Sequence, residues 1–179
     1  MTPPATSSAS RAPQGASPAS LLYGDLEQEL ATTRRFLERY PDGKGSWRPH
    51  EKSMTLSRLA SHVAELPRLG SIVATSDELD FAKGGYTPAN ADSAKELVAI
   101  FDEQAAALRA AIEAADFAAL ERPWTLRHGE HVIVSAPKAG LLRTLLISHI
   151  VHHRAQLGVY YRLLDVPVPG TYGPSADEG

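Results

Sequence analysis

The sequence predicts an all-α protein, a four-helix bundle with a long crossover connection and a short hairpin before the last helix. Three observations predict it. Four segments of about 20 residues or more carry apolar side chains at helical spacing with polar residues between them. No stretch alternates apolar and polar residues well enough to demand a sheet. Two of the connections are long, which allows a crossover in place of a plain up-and-down path.

Residues 1–18 are mostly Ala, Pro, Ser and Thr with a single Arg and cannot pack, so a disordered arm is expected there and one domain over 19–179. The first helix is predicted from Ala19 to Tyr40, with Leu22, Leu26, Leu30, Phe36 and Leu37 inward, and stops at the turn signal Pro41-Asp42-Gly43. A loop with Trp47 and His50 follows. Thr55 or Ser53 then caps a second helix from Leu56 to Ala74, in which Leu56, Leu59, His62, Val63, Leu66, Leu69 and Val73 share a face. Pro67 inside that pattern predicts a kink or loosening. After a Gly84-Gly85 connection, Asp92 or Ser93 opens a third helix to Ala115, with Glu96 placed for a capping box. Residues 117–136 read as irregular, with a hairpin about Gly129. Pro137 suits the first turn of a fourth helix that ends near Leu164, before Val166-Pro-Val-Pro-Gly.

The composition is that of one soluble domain: 179 residues, 43% hydrophobic and 22% charged. A net charge of -3 gives no basic surface for nucleic acid. Cys is absent, which excludes thiolate ligands, disulfides and a Cys nucleophile, and fits a cytoplasmic protein. No apolar run reaches the roughly 20 residues of a membrane span, and no secretory signal or membrane partner is expected.

The chemistry concentrates in Ser148-His149-Ile150-Val151-His152-His153. His149 and His153 are one helical turn apart on the apolar stripe that runs from Leu142 through Leu145, Leu146, Gln156 and Leu157 to Tyr160. Two imidazoles so spaced can share a metal ion, or can be polar core residues satisfied by hydrogen bonds. His62, on the inward face of the second helix, supplies a third nitrogen and turns the balance toward metal. Zinc suits imidazole ligands, with nickel next. His152 falls on the other flank of the stripe, either behind the ligands or in solvent, while His50, His128 and His131 belong to loops and face solvent.

Three stretches resemble one family. Trp47-Arg-Pro-His-Glu-Lys-Ser-Met-Thr-Leu-Ser-Arg-Leu-Ala-Ser-His62 and on to Pro67 resembles the entry to the second helix of the DinB-like (damage-inducible) proteins. Ser148 to Arg162 looks like their last helix, and Val168 to Glu178 like their tail. The likeness runs from about Leu21 to Glu178. It implies a four-helix bundle with a long crossover, a divalent metal on His62, His149 and His153, and often a homodimer. The family's activities are scattered: thiol transfer with low-molecular-weight thiols, maleylpyruvate isomerisation with a thiol cofactor, and many members of unknown role.

The expected function is therefore a metal-dependent enzyme whose three-histidine site activates water or a low-molecular-weight thiol, a hydrolase or thiol transferase acting on a small molecule. The alternative is a non-catalytic, stress-associated metal-binding bundle. Glu65, three residues after His62, is a candidate base or acceptor beside the metal, weighed against a plain exposed helix charge. Tyr160 is a candidate for the pocket lining, against core packing with its hydroxyl at the edge. Arg154 is a candidate partner for an anionic substrate or an acidic neighbour, against a solvated charge. Trp47 and Trp124 are candidates to close the pocket mouth, against structural packing.

Overall fold

The computed structural model describes residues 23–178. The arm expected over 1–18 and the first residues of the first predicted helix lie outside them. Within them the fold is mostly helical, with a small three-stranded sheet.

Helix α1 spans Leu26–Glu38 and buries Leu26, Leu30, Phe36 and Leu37, the face its spacing predicts. It ends where Gly43, at φ 78°, supplies the left-handed turn of the Pro41-Asp42-Gly43 signal. Helix α2 spans Leu56–Thr75, and the Thr55 hydroxyl accepts the Arg58 N–H at its start. It runs unbroken through Pro67. Helix α3 spans Ala94–Ala114 and buries Leu97, Phe101, Ala105, Leu108 and Ile112. Ser93 caps it by accepting the Glu96 N–H, while the Glu96 carboxylate reaches back to Ser93 Oγ and the Asp92 N–H. A short helix α4, Phe117–Glu121, is capped by Asp116.

The all-α expectation needs correction at this end of the molecule. Strand β2 (Pro123–His128) and strand β3 (His131–Pro137) form the hairpin about Gly129. A third strand, β1 (Glu78–Asp80), lies parallel to β2 and pairs Leu79 with Leu126. Three residues are too few to display a period of two, so the sequence hides β1. The Asp80 carboxylate joins the parts: its Oδ1 accepts the N–H of Ala82, in a 3-10 turn over Phe81–Lys83, and that of Gly129 at the hairpin turn. Trp124, fully buried, donates its indole N–H to Ser76 Oγ at 3.0 Å, which fastens the sheet to the end of α2.

The final helical stretch has three parts. Helix α5 (Lys138–Leu141) leads into a π-helical segment, Leu142–Ser148, and then into helix α6, His149–Leu163. Sequence periodicity predicts one uninterrupted helix here, and the π segment departs from that. Helix α2 is the hub: it packs on α3, on the π segment and on α6, while α1 lies against α3 and α6. Gly70 faces α3 and the π segment at close quarters: an added Cβ would stand 2.8 Å from Leu108 and from Leu146.

After α6 the chain folds back. Arg162 grips Asp177 through two hydrogen bonds, Asp177 accepts the Val168 N–H, and Arg35 donates to the Gly170 carbonyl at 2.9 Å. No helix among the described residues is long and apolar enough to cross a membrane.

Candidate metal centre

His62 sits near the middle of α2, and His149 and His153 occupy the first two turns of α6. The packing of α2 on α6 brings the three rings into contact, with centroids 4.6 to 5.1 Å apart. One ring nitrogen from each lies within 4.8 Å of the other two, so the three could hold a metal ion.

The other nitrogen of each ring is already committed. His62 Nδ1 lies 3.2 Å from Glu65 Oε1, His149 Nδ1 lies 3.3 Å from the Leu145 carbonyl, and His153 Nδ1 lies 2.8 Å from Gln156 Oε1. A carbonyl and a carboxylate can only accept, so each Nδ1 carries the proton and each Nε2 is left with a lone pair. The Nε2 atoms of His62 and His149 then face each other at 3.4 Å. Two lone pairs converging at that distance repel unless a cation lies between them. A tetrahedral ion with bonds of about 2.0–2.1 Å to nitrogen separates its ligands by roughly 3.3 Å. A shared proton would satisfy two rings; a third ring aimed at the same place suits a metal better.

The pattern has a sequence signature that is clear in retrospect. In both helices the acceptor stands three residues after the ligand, Glu65 after His62 and Gln156 after His153, where a helix places side chains side by side. Gln156 is oriented in turn: its amide Nε2 lies 3.1 Å from His152 Nε2, the acceptor nitrogen of that exposed ring. His152 therefore stands behind the centre.

Glu65 departs from the exposed-charge reading. It is 2% exposed, and every one of its contacts is strong. Besides His62, Oε1 accepts from Arg58 at 2.8 Å, and Oε2 accepts the Ala89 N–H at 2.6 Å. Burial alone would raise its pKa, but the bonds from His62, Arg58 and Ala89 outweigh it and hold the carboxyl below its ordinary range. Arg58 stands two turns before Glu65 on α2, a spacing the sequence does carry, whereas the Ala89 backbone was not visible as a partner because the loop that returns it to α2 has no regular pattern.

The ligands are held neutral as well. Burial lowers His149, helped by the neighbouring His62 ring. Burial, against the opposing bond to Gln156, brings His153 down to about 4. Neutral imidazole is the form that binds a metal.

The π segment ends at Ser148, next to His149. The His149 N–H reaches back three residues to Leu146 O, and the Leu145 carbonyl, four residues back, meets the imidazole.

The remaining candidates lie elsewhere. Arg154 is 1% exposed and turned toward α1, so the solvated-charge reading is corrected. It pairs with Glu29 at 2.6 Å and donates to Thr33 Oγ1, the Glu29 carbonyl and the Tyr172 hydroxyl. The acidic neighbour is the partner found; the histidines are not among its contacts. Tyr160 is buried, donates to the Met54 carbonyl at 3.1 Å and meets Trp47 edge-on at 5.4 Å. Trp124 belongs to the sheet. His50, His128 and His131 are exposed.

Comparison with known proteins places the fold. The family model described as DinB superfamily matches residues 25–157. A DinB-like protein from Bacillus subtilis superposes with a TM-score of 0.65 at 16% identity, covering 88% of this chain and 98% of its own. Another from Bacillus cereus gives 0.62 at 22% identity, covering 84% and 95%. At these identities the likeness is one of fold. No curated protein matches the chain.

Proposed function

Starting from the chain's membership of the DinB superfamily, we propose that it is a metal-dependent enzyme acting on a small molecule, a hydrolase or a thiol transferase. His62, His149 and His153 hold one divalent ion, zinc before nickel. The observation that carries this reading is the set of three committed Nδ1 atoms, which leaves three Nε2 lone pairs for one centre. On the same reading α1, α2, α3 and the stretch ending in α6 form a four-helix bundle, crossed over by residues 76–92.

His62, His149 and His153 would hold the ion through neutral imidazoles, which would leave it its full charge and let it supply acidification of a bound water or thiol. The chain does the rest. Glu65, Gln156 and the Leu145 carbonyl fix the tautomer and the direction of each ring. Glu65 stays ionised and bound to Arg58, so its work is positioning His62. Since the chain has no Cys, any thiol comes from a low-molecular-weight cofactor. The stress-associated, non-catalytic alternative needs a closed coordination sphere. Among the described residues no fourth His, Asp or Glu joins the three, which favours an open position.

The test is spectroscopic. Cobalt-substituted protein should change its visible spectrum on adding a small thiol or a hydroxamate, and His153→Ala should abolish the response. A spectrum indifferent to both would establish a closed, structural site. We further propose a cytoplasmic homodimer; sedimentation showing only monomer at micromolar concentration would remove the dimer.

A further inference from the structure

Beyond His153, the same face of α6 borders a groove of about 430 Å³, lined by Lys52, Ser53, Met54, Gln156, Val159 and Tyr160. We propose that this groove is a ligand subsite for a small molecule with an apolar or aromatic body and a carboxylate, and that it holds the substrate of the neighbouring centre. The proposal rests on the metal-centre reading for the word substrate, but not for the binding itself.

Four features of the groove support it. Its volume falls in the range of small-molecule sites, about 300–1,000 Å³. It shares a wall with the centre, since the Gln156 side chain that lines it also accepts from His153 Nδ1 at 2.8 Å. Its other wall carries the apolar groups of Met54, Val159 and Tyr160 beside the polar Ser53, and it is held in place. Met54 and Val159 are 37% and 58% exposed, so both side chains are open to a ligand. The Tyr160 hydroxyl bonds the Met54 carbonyl, which locks the 52–54 turn against α6, and Trp47 backs Tyr160 edge-on. Finally, the charge in the groove is uncompensated. Among the described residues the Lys52 ammonium has no ion-pair partner, its sequence neighbour Glu51 included. Apolar walls beside one free cation complement an amphiphilic anion.

The experiment titrates the protein with phenylacetate and with its neutral isostere phenylacetamide, in zinc-loaded and in metal-free form. The readout is the NMR signal of the Trp47 indole, whose ring packs edge-on against the groove residue Tyr160. The buried Trp124 indole, bonded to Ser76, is the internal reference. Phenylacetate should shift Trp47 and not Trp124, in both metal states, and should bind about threefold or more tightly than the amide, as one exposed ion pair allows. Lys52→Ala should bring the acid down to the amide, and Val159→Asp should abolish binding of both, each variant keeping the metal content of the parent. Equal affinity for acid and amide, or a preference that survives Lys52→Ala, overturns the proposal. So does the absence of any Trp47 shift. A preference for the acid that disappears with the metal and ignores Lys52→Ala means that the carboxylate ligates the ion directly, which overturns the groove while supporting the centre. Groove binding in a protein that holds no metal in any condition does the reverse.

Discussion

Glu65 shows how a single residue can serve both stability and the site. A buried carboxylate is costly unless it is paired and bonded. Here His62, an arginine and a backbone N–H from a distant loop supply the partners. Removing the acceptor frees the His62 ring to choose the wrong tautomer, so Glu65→Ala should weaken zinc binding by about 10–100-fold. Competition with a chromophoric chelator measures this, and an unchanged affinity would make Glu65 purely structural. Arg154 has a different job. Inside a pocket made with Glu29, Thr33 and Tyr172, its loss leaves a buried carboxylate unpaired. Arg154→Ala should cost about 3–5 kcal/mol, visible in urea denaturation, and the refolded variant should still take up zinc. The histidines add a pH dependence. In the metal-free protein His153 has a folded pKa of about 4 against an ordinary 6.5. Between those values the unfolded chain holds a proton that the folded one lacks, so stability falls as pH drops from about 6.5 to about 4 and then levels. His149 shifts in the same direction and adds to the slope. Urea midpoints of chelator-treated protein should therefore be lower at pH 5 than at pH 7, and equal midpoints would contradict the burial of the rings.

The helices were legible from their spacing because each buries one face. The stripes of α1, α2 and α3 match the buried residues closely, and the Thr55 and Ser93 caps fall where the sequence puts them. Several short elements escaped, among them helix α4, Phe117–Glu121, in a stretch that reads as irregular. Strand β1 is stabilised by pairing with β2 and by the Asp80 bonds, neither of which is a property of its own three residues. The π segment is likewise a tertiary product, since Leu142–Ser148 has ordinary helical composition. It packs on α2 opposite Gly70, whose missing side chain leaves room for Leu146 and Leu108. Filling that space should force the π segment off α2. Gly70→Val should destabilise the fold by roughly 1–3 kcal/mol, and thermal denaturation would show it. A melting temperature at or above the parent's would mean that the crossing is loose.

At the scale of the whole molecule, one helix pair builds the centre and the rest of the fold holds that pair in register. The sheet fastens the end of α2 through Trp124 and Ser76, and the folded-back tail ties α6 to α1 through Asp177, Gly170 and Tyr172. That division explains which parts of the candidate site could be read from the sequence. His62, His149 and His153 each announce themselves on an apolar stripe, and Arg58 and the Leu145 carbonyl lie on the same helical stretches as their partners Glu65 and His149, whereas the Ala89 N–H becomes a partner only once its loop packs on α2. Membership of the DinB superfamily fixes the scaffold and leaves the chemistry to the site. The claim on which everything else depends is that three Nε2 lone pairs share one ion. Metal analysis after zinc loading and exhaustive dialysis tests it most directly. One zinc per chain should remain in the parent protein, and almost none in His149→Ala or His153→Ala. Undiminished zinc in both variants, or a parent that retains no metal, would contradict it.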